Sequence, residues 1–343
     1  MPYTDLSMRL AGKTHLYVLP NQIDIDLTNV CNQDCFYCNS RDFRAKYLTT
    51  GKTNEYLTLL DQIGKWRQHV PNSIGSVRNI TFTGGGEPTV HKHIGQIMEN
   101  VIDQGIQVCL ISNGSKLHRV VEHIPKEKIK SVGWIGIDVD SADPVVYECI
   151  RKSLTKDTLY HKVIDNIRLA TQAGFNVDIK SLLMPQTANE KQLTLLFQMV
   201  NNTGARKLHL RPFVDMSTTK LFEVSQKIRD LIHELSLKYK VPYNLPLGRE
   251  EKRTYSKCHQ MFLYPILSAN GDIVVCCEGR GQEKFVLGNW KNQDIRDLWW
   301  GEKHLQIYNK VNTHLCPPCK PNKINNLIQK DIDNPSNLER VAL

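Results

Sequence analysis

The sequence predicts an α/β protein: a β/α-repeat domain forming an open, partial (β/α)6 barrel, followed by a small cysteine-rich domain. Three observations predict this. Six short β-rich segments alternate with amphipathic stretches between residues 22 and 213. The segment VPYNLPLG (241–248) then breaks the alternation with two prolines and a glycine. Beyond it lie short strands and a second set of cysteines.

The expected strands are QIDIDL (22–27), RNITFT (78–83), QVCLIS (107–112), WIGIDV (134–139), NVDIKSLL (176–183) and KLHLRPF (207–213). Their near-continuous apolar runs suit a parallel sheet covered on both faces. Between them lie helical patterns at NEYLTLLDQIGKWRQHV (54–70), IGQIMENVIDQ (94–104), LYHKVIDNIRLATQAG (159–174) and EKQLTLLFQMVNNTG (190–204). The last two end in glycine, a helix stop. Right-handed crossovers follow from the β-then-α order. Six strands are too few for a closed eight-stranded barrel, so the barrel stays open.

A helical stretch is expected across TTKLFEVSQKIRDLIHELSLKYK (218–240). In LYPILSANGDIVVCC (263–277) the Asn-Gly dipeptide joins two strands as a hairpin. The end, KPNKINNLIQKDIDNPSNLERVAL (320–343), reads as polar and partly disordered. The expected partition is an N-terminal extension (1–20), a barrel (21–217), a helical linker (218–250), a cluster-binding domain of hairpin plus helix (251–320) and a tail (321–343).

The chain has 343 residues, 41% hydrophobic and 23% charged, an ordinary globular composition. At this length the core needs no disulfide staples. The N-terminus lacks the apolar core of a secretory signal, and no apolar run reaches the roughly 20 residues of a membrane span. A cytoplasmic protein without membrane contact is therefore expected. In that setting the ten cysteines stay reduced and point to metal binding or catalysis. Lys and Arg number 44 against 35 Asp and Glu, a net charge of +9. The positive charges are scattered, with no arginine-rich arm, so they read as solvated surface and argue against a nucleic-acid partner.

Directly after the first strand stand Cys31, Cys35 and Cys38, spaced C-x3-C-x2-C. This is the catalytic end of a β/α barrel. A structural zinc takes four ligands, and the next histidine, His69, falls inside a predicted helix. Four irons held by three thiolates leave one iron open, which favours an iron–sulfur cluster. The second strand runs into TFTGGGEPTVH (81–91). Its glycines allow close backbone approach, and Glu87 suits an ammonium group; the plain alternative is a glycine turn before a helix. ISNGS (111–115) offers Ser112 and Asn113 to a ribose, or is only a turn. GIDVDSADPVVYECIR (136–151) offers Asp138 and Asp140, with helix capping as the alternative for Asp140. Cys109 and Cys149 read as core thiols. Lys180 and Arg211 point toward the barrel mouth, as substrate contacts or packing. The second set is Cys258, Cys276, Cys277, Cys316 and Cys319, a pattern that zinc ribbons also use.

With Tyr37 just before the last cysteine, the first triad is similar to the cluster motif of radical S-adenosylmethionine (SAM) enzymes. GGGEP resembles that family's GGEP motif, with Gly84 in place of the common serine or threonine. The resemblance implies that Gly85, Gly86 and Glu87 hold the methionyl amine of SAM and that Ser112 and Asn113 face its ribose. The GIDVDSAD…IR stretch is similar to the SxDG…IR segment. It implies Asp138 and Asp140 near the nucleoside and Arg151 near the SAM carboxylate and the chemistry. A [4Fe–4S] cluster on Cys31, Cys35 and Cys38 is implied, cleaving SAM to methionine and a 5′-deoxyadenosyl radical. The distant cysteines, with Gly271 five positions before Cys276, resemble SPASM and shorter twitch domains. No cysteine follows Cys319, as in the twitch form. That implies a second [4Fe–4S] cluster on Cys258, Cys276, Cys316 and Cys319, with no open iron and an electron-transfer role. Cys277 is left as a core thiol, a replacement ligand for Cys276 or a hydrogen-atom donor.

The expected function is oxidation of a small polar, sugar- or cyclitol-like molecule. The second cluster accepts an electron, and an external donor of flavodoxin or ferredoxin type feeds the first. The resemblance is closest to twitch-containing alcohol dehydrogenases. Alternatives are radical epimerisation or rearrangement, with Cys277 returning a hydrogen atom, and peptide modification as in many SPASM relatives. About twenty residues before the first strand leave little room for a leader-recognition domain. Nucleotide or tRNA modification rests on charge alone. A zinc scaffold is the non-enzyme alternative.

Overall fold

All six expected strands form, at Gln22–Asp26, Asn79–Thr83, Gln107–Ser112, Val132–Asp138, Val177–Leu183 and Lys207–Pro212. The structure, a computed structural model, describes residues 4–69, 73–74, 77–155, 158–215, 217–247 and 251–334. The chain divides into two units, one of residues 26–50 and 81–247, the other of residues 1–25, 51–80 and 248–343.

In the first unit the hydrogen-bonded order runs Tyr243–Asn244, Lys207–Pro212, Val177–Leu183, Val132–Asp138, Gln107–Ser112. Each of these neighbouring pairs is parallel. Apolar side chains of the strands, such as Leu110, Ile135, Ile137, Ile179, Leu208 and Leu210, are fully buried. Helices Tyr160–Ala173 and Glu190–Thr203 present apolar stripes to the core and stop where the sequence places glycine. Gly174 and Gly204 take φ of 98° and 70°, a left-handed conformation that costs glycine little.

The helix expected over 218–240 is shorter. Val214–Asp215 and Lys220–Leu221 pair as a small antiparallel hairpin, and the helix spans Gln226–Tyr239. Ser225 caps it, its hydroxyl accepting the Ile228 amide. The cap competes successfully with the helical pattern that precedes it.

In the second unit Asp24 and Ile25 pair in parallel with Ile266–Leu267, which pairs antiparallel with Asp272–Val274. The Asn-Gly hairpin is thus formed, with Gly271 at φ 102°. Val286–Asn289 adds a further antiparallel strand. The indole N–H groups of Trp299 and Trp300 both donate to the Val18 carbonyl, at 3.0 and 2.8 Å.

The tail departs from expectation. Residues Asn322–Asp333 form a helix in which Asn325 and Ile328 are wholly buried. Ser7, on the N-terminal helix Thr4–Leu10, donates to Asp331 at 3.1 Å. Residues 335–343 lie outside the described residues. No described helix is long and apolar enough to cross a membrane.

Candidate active site

Residues 28–40 leave the first strand as a loop that carries Cys31, Cys35 and Cys38, all half-buried and unpaired. Three sets of contacts shape it. The first is backbone: the amides of Gly86 and Glu87 donate to the carbonyls of Thr28 and Val30 at 3.0 and 2.9 Å. This contact explains the glycines. A Cβ on Gly86 would fall 2.3 Å from the Val30 oxygen, and one on Gly85 2.6 Å from Asn29 Oδ1. The glycine run thus brings one loop against the other.

The second set is polar and buried. Glu87 Oε1 accepts from the Thr89 amide, the Thr89 hydroxyl and the Ser112 hydroxyl, at 2.9, 2.6 and 2.7 Å. Its Oε2 accepts from the Asn113 amide at 2.7 Å. Burial raises this carboxyl's pKa against the lowering effect of those donors. The Asn113 side chain donates to Asn32 Oδ1 at 2.9 Å, and Asn32 donates to Ser115 at 2.9 Å. The strand end carrying Ser112 and Asn113 therefore grips the cysteine loop.

The third set centres on a buried ion pair. Arg151 Nε meets Asp140 Oδ2 at 2.9 Å, with both side chains at most 5% exposed. Arg151 also donates to the Tyr37 hydroxyl at 2.7 Å and to Gln33 Oε1 at 3.2 Å. Tyr37 donates to Asp140 at 2.5 Å. Gln33 in turn donates to the Tyr147 hydroxyl at 3.0 Å. Asp140 Oδ1 accepts the Leu182 amide at 2.9 Å, so both carboxylate oxygens have donors. Helix capping, the alternative for Asp140, falls instead to Asp143, which accepts from Val145 and Val146. Asp138 lies 3.4 Å from the buried Lys180 ammonium, and its charge, like that of Asp140, reaches Arg151. Lys180 occupies mid-strand rather than a strand end.

Several of these residues carry no sequence signal. Gln33, Asn32 and Tyr147 are recognisable only once the loop is folded. Arg44 is the clearest case. It is nine-tenths buried on the short helix Arg41–Lys46 and donates to Cys38 Sγ at 3.7 Å and to the Gln33 carbonyl at 3.4 Å.

Among the described residues no three His, Cys, Asp or Glu side chains stand arranged around a common metal position. The donor chemistry nonetheless fits a cluster. Burial lifts the Cys31 and Cys35 thiols to about 11 and about 12, and the nearby Cys38 raises both further. A cationic cluster core would reverse that penalty. Arg44 Nε, on the side chain that reaches Cys38, and Asn29 Oδ1, against the glycine run, are buried without a hydrogen-bond partner. Such orphaned groups are rare and mark a place where another group belongs.

The other unit holds the second set. Burial raises the Cys258 thiol, and the nearby Cys277, Cys319 and Cys316 raise it further. Cys319 is pushed up to about 12, again first by burial. Cys276 and Cys277 interact thiol to thiol. Cys277 lines a cavity of about 150 Å3 with Gln22, Asp24, Tyr264 and Lys320. The thiols fit a four-thiolate cluster in number and kind. Of the remaining cysteines, Cys109 is buried as expected of a core thiol, whereas Cys149 is exposed, contrary to that reading.

A β/α sheet whose first strand ends in a braced three-cysteine loop defines a cluster-dependent enzyme. The chain belongs to the radical SAM superfamily: residues 25–197 match it, and residues 258–321 match the SPASM iron–sulfur cluster-binding domain. The two families bring SAM and [4Fe–4S] clusters as cofactors. Among curated relatives the chain is similar to GTP 3′,8-cyclase of Vibrio vulnificus (strain YJ016), with 26% identity over 57% of this chain and 54% of the relative. It is also similar to the S-adenosylmethionine-dependent nucleotide dehydratase of Selenomonas ruminantium, with 25% identity over 56% of this chain and 67% of the relative. The chain thus spans about half the length of the first of these and two thirds of the second. Among solved structures, Streptococcus suis SuiB bound to precursor peptide SuiA superposes with a TM-score of 0.65 at 11% identity, covering 89% of this chain and 69% of that one. Native anSMEcpe with bound AdoMet gives 0.59 at 14% identity, covering 94% and 99%. At such identities the likeness is one of fold.

Proposed function

We propose that this radical SAM enzyme dehydrogenates a small polar, sugar- or cyclitol-like substrate, in a barrel domain spanning residues 21–217 and an auxiliary domain spanning 251–320. The observation that carries the reading is the contrast in thiols. Three cysteines on the first loop leave an iron for SAM, whereas five near Cys258 suffice for a closed cluster with a spare. When bound, the first cluster and SAM supply a hydrogen-abstracting 5′-deoxyadenosyl radical, and the second cluster supplies an electron acceptor.

The chain's own residues bind and orient. Cys31, Cys35 and Cys38 hold the first cluster; Cys258, Cys276, Cys316 and Cys319 hold the second, with Cys277 adjacent. Glu87, Gly85, Gly86, Ser112 and Asn113 set the shape of the SAM-facing wall. Tyr37, Asp140 and Arg151 act as positioning residues, since the arginine's donors are directed at Asp140, Tyr37 and Gln33. The Asp138–Lys180 pair, facing across two neighbouring strands, offers the substrate a carboxylate and an ammonium.

The test is anaerobic reconstitution, then a screen of polyols and amino sugars with SAM and reductant. About eight irons per chain are expected, with 5′-deoxyadenosine formed alongside a product lighter by two hydrogens. A product isomeric with its substrate overturns dehydrogenation. A nucleotide substrate is the second reading, supported by the names of two curated relatives. Including nucleoside triphosphates in the same screen decides between them.

A further inference from the structure

The helix Asn322–Asp333 lies just beyond Cys319 and outside the matched SPASM residues. Asn325, on its first turn, is completely buried. Its Oδ1 accepts the Gln260 amide at 2.9 Å. That bond settles which end of the side-chain amide is oxygen, because a backbone N–H needs an acceptor. The NH2 end is thereby turned to Cys258, where Nδ2 donates to Sγ at 3.8 Å. Two neighbouring asparagines hold the helix in this register. Asn322 donates to the Glu251 carbonyl at 2.7 Å, and Asn326 donates to the Lys252 carbonyl at 3.0 Å while accepting from the Thr254 amide at 2.9 Å. Both clamp the segment leading into Cys258.

We propose that Asn325 is a positioning residue that tunes the auxiliary cluster, its N–H···S bond to Cys258 raising the cluster's reduction potential. The inference rests on the reading of Cys258 as a cluster ligand. An N–H donor withdraws electron density from a thiolate and favours the more negative, reduced cluster. A higher potential suits a cluster that receives an electron from substrate. The tuning group thus comes from a helix that follows the cysteine-bearing domain.

The test uses the full chain with Cys31, Cys35 and Cys38 replaced by alanine, so that only the auxiliary cluster is read. In that background Asn325→Asp keeps an acceptor for the Gln260 amide and replaces the donor by a carboxylate oxygen. The expected result is unchanged iron content and a midpoint shifted to lower potential in a titration followed by electron paramagnetic resonance. An unchanged midpoint with full iron overturns the role of Asn325. Absence of iron from the background itself overturns the reading of the Cys258 set instead. If Asn325→Asp alone loses iron, the parent background decides. It is grown with asparagine carrying 15N in the side-chain amide. Electron–nuclear double resonance of the reduced cluster is expected to show a 15N coupling, and its absence overturns the proposal.

Discussion

Replacing Arg151 by methionine tests the clamp on the cysteine loop. Methionine fills most of the volume but removes three bonds: to Asp140 at 2.9 Å, to Tyr37 at 2.7 Å and to Gln33 at 3.2 Å. Asp140 stays buried with two donors left, Tyr37 and the Leu182 amide. Breaking a buried pair from one side typically costs about 3–5 kcal/mol, because an uncompensated charge remains. The two surviving donors place this site near the lower end, about 3 kcal/mol. Asp140→Leu leaves a guanidinium with only neutral partners and is expected to cost more. Urea unfolding of the reduced, metal-free chain measures both. Reconstituted Arg151→Met is further expected to lose iron from the first site while keeping the second. A variant within about 1 kcal/mol of the parent that also keeps both clusters refutes the clamp.

Further outcomes follow from other sites. His304 is fully buried, accepts the Trp300 amide on Nδ1 at 3.2 Å, and has Nε2 3.2 Å from the Met261 carbonyl, which suits the neutral ring. Burial lowers its pKa from 6.5 to about 4. The folded value lies below the unfolded one, so its contribution is complete above about pH 6.5 and lost as pH falls toward 4. The loss is about 3 kcal/mol, and it should vanish from the pH dependence of unfolding in His304→Asn. Gly86→Ala places a Cβ 2.3 Å from the Val30 oxygen. It should destabilise the chain by about 2 kcal/mol or more and reduce iron at the first site, read by metal analysis. Arg44→Met removes a buried cation whose NH2 lies 3.7 Å from Cys38 Sγ. A redox titration should show the first cluster at lower potential and the second unchanged.

The strands were legible because both faces of a parallel sheet are buried, so Ile135, Ile137 and Ile179 fall in apolar runs. The cysteines were legible because ligand spacing is local. What escaped is set by tertiary structure. Arg44 and Gln33 look like ordinary polar residues until the loop folds them under Cys38 and Arg151. The motif of Arg151 gives no sign of its bonds to Asp140, Tyr37 and Gln33. The helix 322–333 was hidden by its asparagines, which read as loop. Ile324, Leu327 and Ile328 do recur at helical spacing and could have revealed it. Ser225 likewise signals the true start of the helix at Gln226.

The backbone contact between Gly86 and Thr28 makes two loops one mechanical unit. The glycine run cannot shift without carrying the cysteine loop with it, because the amides of Gly86 and Glu87 are spent on the carbonyls of Thr28 and Val30. A substitution that displaces the glycines is therefore felt at the cysteines, although it touches none of them.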